Sequence, residues 1–249
     1  MDISPIRVKK SWKKVKFSKN GKPYIKFLGF QSGFNIWKVD GEYIRKNLCE
    51  DFVNYDCNTE INFIPENELW VEKDNIHREI PFYVKRLSTE RRLLKSGVPY
   101  KKVLEIGLSA ERAERAKAKG FKPLRISNHP KKLYKKLLFS KQNMKVWLVN
   151  GRIVRDLFYV DYAEGGHDLV YKFIPKGEIW IDDDILSPSE RKFILIHELH
   201  ERRQMIKKHL SYHKAHKLAT KLEDFCRHNP NKAKDILDRE IRLNSHTTI

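Results

Sequence analysis

The 249-residue sequence contains few cysteines and no long apolar segment. Its three cysteines, Cys49, Cys57 and Cys226, are too few and too widely spaced for a disulfide framework or a thiolate zinc site. No apolar run approaches the ~20 residues that a membrane-spanning helix needs. Residues 1–10 carry charge without an apolar stretch behind them, unlike a secretory signal. We therefore expect a protein that is not secreted, has no membrane partner and works in a reducing, intracellular setting.

Positive charge is abundant and unevenly distributed. Hydrophobic residues make up 40% and aromatic residues 11% of the chain, enough for a packed core although 33% of the residues are charged. The net charge is +19. Residues 1–35 hold nine Lys or Arg against one Asp, and residues 116–145 hold ten Lys or Arg and no acid. These segments predict contact with nucleic acid or another polyanion, with a solubilising surface as the alternative.

The sequence repeats itself at an offset of 110 residues. Residues 36–45 match residues 146–155, and residues 63–70 match residues 173–180. Because the offset drifts by only two residues over about eighty positions, the chain is a tandem duplication. We divide it into a basic N-terminal segment at 1–35, copy one at 36–115, a basic linker at 116–145, and copy two at 146–249.

Strand patterns precede helix patterns in each copy. Asp40-Gly41 and Asn150-Gly151 favour tight hairpin turns, and residues 169–171 and 178–181 predict further strands. Helix signals follow, with capping residues at Ser187 and a stop near Pro230. The helices are predicted over residues 187–208, 211–227 and 233–243. The expected class is α+β, a small antiparallel β-meander followed by a helical hairpin, present twice.

Copy two carries imidazole and carboxylate groups at ligand spacing. His197 and Glu201 are four residues apart and share a face of the first predicted helix, with His200 flanking that face. His216 lies on the second helix, and the short connection makes the two helices antiparallel neighbours. His216 and His197 are therefore expected to face each other, as ligands do in helical metal sites.

Copy one lacks most of these groups. Five groups of copy two that could bind a metal or transfer a proton are replaced by other residue types in copy one. In order, His167, His197, Glu198, His200 and His216 align with Cys57, Arg86, Leu87, Thr89 and Leu104. Groups confined to copy two are the better functional candidates, whereas Glu223 and Arg227 keep counterparts and are predicted to form a structural ion pair. Glu201 also keeps a counterpart, Glu90, and is either a ligand or the partner of an arginine.

The string from His197 to Glu201 resembles the His-Glu-x-x-His signature of zincin metallopeptidases in its first two residues, and departs from it where Glu201 replaces the second histidine. Together with Tyr-x-x-Ala-His-x-x-Ala-x-x-x-Glu at residues 212–223, it is similar to uncharacterised zincin-like metalloproteins that are often phage-associated. The resemblance spans residues 167–227. It implies His197, Glu201 and His216 as metal ligands, and Glu198 as the general base that deprotonates a zinc-activated water for attack on an amide or ester carbonyl.

Other ligands and metals stay open at this point. His167 and His200 are further candidate ligands, and a set of two histidines and a carboxylate also suits manganese or iron. The first hypothesis is a zincin-like, metal-dependent hydrolase whose first copy has lost its site. The second is a basic structural or nucleic-acid-associated protein of a large assembly such as a virion, with a structural metal. A nuclease is the weakest alternative. Glu198 distinguishes the first two hypotheses, because a structural metal site needs no additional carboxylate, whereas a hydrolase needs a base. The expected location of the protein is the cytoplasm or a virion.

Overall fold

The computed structural model describes residues 17–74, 77–119 and 129–245. The chain divides into two compact units, the first made mainly of residues 5–123 and the second mainly of residues 124–249. Each unit contains a four-stranded sheet followed by helices, which confirms the α+β class and the tandem duplication. Among the described residues, no helix combines the length and apolar character that crossing a membrane requires.

The two units have the same order of elements. The first contains β1 (Tyr24–Gln31), β2 (Phe34–Val39), α1 (Gly41–Asn47), β3 (Tyr55–Cys57), β4 (Glu68–Glu72), α2 (Ile80–Lys95) and α3 (Tyr100–Lys119). The second contains β5 (Tyr134–Lys141), β6 (Met144–Val149), α4 (Gly151–Leu157), β7 (Gly165–His167), β8 (Glu178–Asp182), α5 (Pro188–Lys208), α6 (Tyr212–His228) and α7 (Ala233–Ser245). The second unit therefore adds one described helix, α7, to the shared plan.

Each sheet is mixed, so the predicted antiparallel meander is wrong in its strand order. The orders are β1-β2-β4-β3 and β5-β6-β8-β7. The outer pairs are antiparallel, but β2 pairs with β4, and β6 with β8, in parallel. Parallel neighbours need a crossover connection, and in each unit this connection contains a short helix and an edge strand.

The predicted hairpins at Asp40-Gly41 and Asn150-Gly151 are also wrong, because both dipeptides start a helix. Asn150 Oδ1 accepts a hydrogen bond of 3.0 Å from the Ile153 N–H, and it thereby caps α4. A Cβ atom at Gly151 would collide with the carboxylate of Asp182. The glycine is thus required for a close approach between helix and strand rather than for a reversed turn.

The remaining strand predictions are partly confirmed. The strand at 178–181 corresponds to β8, whereas residues 169–171 are not a strand, because the N–H groups of Val170 and Tyr171 turn back to the carbonyl of His167. The basic segments contribute β1 and β5, so the structural repeat begins before the predicted starts at 36 and 146. Other parts of these segments, residues 1–16 and 120–128, lie outside the described residues.

The predicted helices of copy two correspond to α5, α6 and α7. Ser187 caps α5, since its Oγ accepts from the Glu190 N–H at 3.4 Å. One face of α5 packs on the sheet, where its aliphatic side chains join those of β6 and β8 in a common core: Val146, Ile179, Ile181, Ile194, Leu195 and Leu199. This packing also brings α5 against the edge strand β7, and α6 packs along α5.

Candidate metal centre

Six imidazole and carboxylate side chains of the second unit come together where α5, α6 and β7 meet. We call them the histidine–glutamate cluster: His167, His197, Glu198, Glu201, His216 and Glu223. Strand β7 supplies one of them, α5 supplies three and α6 supplies two. The cluster includes four of the five metal ligands that the sequence predicts, together with the predicted base.

Three of these side chains place one donor atom each around a common point. His197 Nε2 lies 3.1 Å from His216 Nδ1 and 3.6 Å from Glu201 Oε2. His216 Nδ1 lies 2.8 Å from the same Glu201 oxygen. In a tetrahedral zinc site with bonds of 2.0–2.1 Å, ligand atoms lie about 3.3–3.4 Å apart. The three separations bracket this value, so the triad fits one metal ion and leaves a fourth position open.

Glu223 orients the first of these ligands. Its Oε2 accepts a hydrogen bond of 2.8 Å from His197 Nδ1, which leaves Nε2 for the triad. Its Oε1 accepts from Arg227 Nη2 at 2.7 Å, and Arg227 in turn contacts Glu190. A carboxylate behind a ligating imidazole is a common second layer of metal sites, where it fixes the tautomer and the ring orientation.

His167 performs a similar task for Glu201. The Leu169 N–H donates to His167 Nδ1 at 3.3 Å, so the imidazole hydrogen resides on Nε2. This Nε2 donates to Glu201 Oε1 at 3.0 Å, while the other carboxylate oxygen of Glu201 faces His216. His167 is completely buried. The structure therefore places it beside the triad, as the partner of one ligand.

Glu198 lies next to the triad but outside it. With His167 and Glu201 it forms a second group in which one ligand atom per residue lies within 4.8 Å of the others. A Cβ at Gly165 would be only 3.1 Å from Glu198 Oε1, so the glycine admits this carboxylate beside β7. Burial, with the nearby charge of Glu201, raises the pKa of Glu198 to about 8. Such a carboxylate can exchange protons near neutral pH.

The charges of the cluster favour a cation at its centre. Burial disfavours a charged imidazole at His197, but its interactions with the carboxylates of Glu201 and Glu223 outweigh burial and hold its pKa well above the usual range. Burial likewise opposes a charged Glu201, yet the three neighbouring histidines keep its pKa well below the usual value. Against burial, His197 and Arg227 lower the pKa of Glu223 to about 2. Glu201 and Glu223 are thus held ionised around a position that takes a proton or a metal ion.

Copy one contains a guanidinium at the equivalent position. Arg86, which aligns with His197, is almost completely buried. Its Nε donates to Glu90 Oε1 at 2.8 Å, and its Nη1 lies 3.6 Å from Glu111 Oε2. These two carboxylates align with Glu201 and Glu223. The first unit therefore has a permanent positive charge at the position where the second unit has an ionisable imidazole.

Both units contain a carboxylate–arginine–carboxylate chain: Glu79–Arg115–Glu111 in the first and Glu190–Arg227–Glu223 in the second. The sequence predicts the pair of Glu223 and Arg227 but misses the third member. Glu79 and Glu190 could have been found from the offset of 111 residues that also relates residues 90–92 to residues 201–203. The sequence analysis also missed the contact of Glu223 with His197, although it placed the two residues on the facing sides of neighbouring helices, α6 and α5.

His200 is the predicted ligand that the structure places elsewhere. Its Nδ1 lies 3.1 Å from Glu240 Oε1 of α7, and its Nε2 accepts from Gln204 Nε2 at 2.9 Å. The residues three and four positions after His197 lie about 60° to one side of it and about 40° to the other, so His200 and Glu201 point in directions about 100° apart. The side of α5 that carries His200 is covered by α7, whose Glu240 is completely buried.

Comparisons of this chain with protein-family models, with curated proteins and with solved structures find no match. The resemblance to zincin-like metalloproteins therefore stays a prediction. The geometry of the histidine–glutamate cluster and its comparison with copy one carry the functional argument.

Proposed function

We propose that the second unit binds a transition metal ion through His197, Glu201 and His216 and hydrolyses an amide or ester bond, with Glu198 as the general base. The observation that carries this proposal is the convergence of three donor atoms, 2.8 to 3.6 Å apart, beside a second carboxylate, that of Glu198. Two imidazoles and one carboxylate are a ligand set of catalytic zinc sites, and the same set also suits manganese and iron.

The protein side chains divide the work of such a site. When bound, a divalent ion would polarise a carbonyl and make a water more acidic. His197 and Glu201 are buried and are held in place by Glu223 and His167. His216 is 45% exposed, so the triad is open to solvent on that side. Glu198 would accept the proton of the attacking water and deliver it to the leaving group.

The position of Glu198 favours a hydrolase over a purely structural metal site. Copy one has Leu87 at this position and folds into the same elements, so the fold itself does not require a carboxylate there. Burying a carboxylate beside a second carboxylate costs free energy unless it is compensated. A proton-transfer role accounts for a carboxylate that the scaffold does not need.

Metal analysis of the purified chain tests the proposal. We expect about one tightly bound equivalent of zinc, manganese or iron, or stoichiometric uptake after the metal has been stripped. Screening against peptide and ester libraries then identifies the bond that is cleaved. A chain purified without chelators that contains no metal, and takes up none of these three ions, would show that the cluster is only a hydrogen-bonded network.

We also propose that the basic segments at 1–35 and 116–145 contact nucleic acid or another polyanion, as a component of a large assembly such as a virion would. The supporting observation is the exposure of the described lysines between residues 129 and 145: Lys131, Lys132, Lys135, Lys136, Lys141 and Lys145. Within the part of the chain that the structure describes, Lys135 is the single member of this set with a carboxylate in ion-pair range, Asp183 at 3.9 Å. Their charges are therefore available to phosphates.

Binding of duplex DNA should weaken steeply with salt and depend little on sequence, because each neutralised phosphate releases condensed counterions. Changing Lys135 and Lys136 to glutamine should reduce the slope of log K against log salt by about one to two. Exchanging the exposed Lys207 and Lys208 at the end of α5 is the matched control. Salt-independent binding, or none at low salt, would assign these lysines to a solubilising surface.

A further inference from the structure

We propose that the cluster contains a second, weaker metal site formed by His167, Glu198 and Glu201, with Glu201 bridging two ions, and that filling this site inhibits the enzyme. The existence of the site follows from the geometry alone. Its inhibitory effect rests on the proposed function, because it requires Glu198 to be the base.

The two oxygens of Glu201 serve opposite sides of the cluster. Oε2 lies 2.8 Å from His216 Nδ1 within the triad, and Oε1 lies 3.0 Å from His167 Nε2 on the other side. Glu198 completes the second group, in which the three ligand atoms lie within 4.8 Å of one another. A carboxylate that gives one oxygen to each of two ions holds them about 3.5–4 Å apart, the spacing of two-metal sites.

The second site should bind more weakly than the first. The triad atoms are already within 3.6 Å of one another, close to the spacing of ligand atoms around a single zinc ion. At the second site, the hydrogen of His167 lies on Nε2, the atom that would bind the ion, because Nδ1 accepts from the Leu169 N–H. Binding there would move this hydrogen to Nδ1 and break the hydrogen bonds with both Glu201 and Leu169, which reduces the affinity.

The duplication gives independent support. Copy one replaces His167 by Cys57 and Glu198 by Leu87, yet keeps Glu90 where copy two has Glu201. The two groups that would complete the second site are thus absent where the triad histidines are also absent. The fold tolerates less polar residues at both positions, so neither the imidazole nor the second carboxylate is needed for folding. A second cation would use both groups and would offset the repulsion between the neighbouring carboxylates of Glu198 and Glu201.

The ligand chemistry limits which ion binds. One imidazole and two carboxylates suit zinc, manganese and ferrous iron, in contrast to the all-oxygen sites that calcium and magnesium prefer. An ion held by Glu198 occupies the oxygen that must receive a proton from water. Hydrolysis should therefore rise with the first equivalent of zinc and fall as the second binds.

A zinc titration of the metal-stripped full chain, followed by competition with a chromophoric chelator, tests this inference. We expect two equivalents whose dissociation constants differ by at least tenfold. His167→Gln keeps a donor for Glu201 but removes the imidazole, so it should retain the first equivalent and lose the second. Glu198→Gln should do the same, which covers the case that one of the variants fails to fold.

The possible results separate this inference from the proposed function. One equivalent in wild type, with hydrolysis unaffected by excess zinc, would overturn the second site and leave the hydrolase intact. Two equivalents retained in both variants would also overturn the assignment of its ligands. Two equivalents in wild type and one in the variants would support the site even if no hydrolysis is detected, and no binding at all would contradict both proposals.

Discussion

Replacing Glu198 with glutamine should lower the rate of hydrolysis by about 10²–10⁴-fold, the usual contribution of a general base. The change keeps the shape of the side chain and removes only its ability to accept a proton. Because Glu198 lies outside the triad of His197, Glu201 and His216, the tightly bound ion should remain. Thermal stability should stay near that of wild type, since copy one folds with Leu87 at this position.

The measurement is a turnover assay on the best substrate from the library screen, together with metal content and thermal unfolding of the same preparations. Glu178→Gln is a suitable control, because that carboxylate pairs with Tyr134 and Trp180, outside the cluster. Loss of the tightly bound ion from the Glu198 variant would identify Glu198 as a ligand. Undiminished hydrolysis would exclude it as the base.

His197→Arg should abolish binding of the tight ion without unfolding the second unit, whereas His197→Ala should lose both the ion and stability. The first expectation comes from Arg86, which contacts Glu90 and Glu111 from the equivalent position of α2. An arginine in α5 would find the corresponding carboxylates. Alanine would leave buried charge without a partner, which costs about 3–5 kcal/mol.

Metal content and urea unfolding of the two variants decide this prediction. The arginine variant should unfold at a denaturant concentration close to that of metal-stripped wild type, and the alanine variant at a clearly lower one. If arginine and alanine destabilise the unit equally, the equivalence between the two clusters is wrong. If the arginine variant still binds one zinc ion tightly, His197 is not a ligand.

The helices of copy two could be predicted from sequence because their ends are determined locally. Ser187 caps α5 with its own hydroxyl, and proline follows at the first helical position. The helix at 211–227 corresponds to α6, and the third to α7, within one or two residues. In each case the signal lies in residues close to one another along the chain.

The strand order could not be predicted in this way. Asn150-Gly151 favours a hairpin, but an asparagine side chain is also a preferred helix cap, and local preference does not separate the two. The choice depends on β8, which lies nearly 30 residues later in the sequence and approaches Gly151 through Asp182. The parallel pairing of β6 with β8 is equally a contact between distant parts of the chain.

In the candidate site, too, local contacts could be predicted from the sequence and contacts with distant elements could not. The spacing of His197 and Glu201 and the hairpin of α5 and α6 were sufficient to predict the triad with His216. Comparison of the copies also identified His167 and Glu198, although not the contact of His167 with Glu201. His200 was misplaced because its partner, Glu240, belongs to α7, and no pattern in the sequence shows against which side of α5 that helix packs.

The Glu–Arg–Glu chain shared by both units has an evolutionary consequence. It stabilises the helix pair whether the central cation is a metal ion or a guanidinium, so selection for folding and selection for chemistry act on different residues. A histidine codon becomes an arginine codon by a single base change, and such a change at position 197 would silence the site while preserving the counterion of the carboxylates. Arg86 occupies the aligned position in copy one. If the proposed function holds, copy one is an inactive half of this kind, and its folding gives no selection against it.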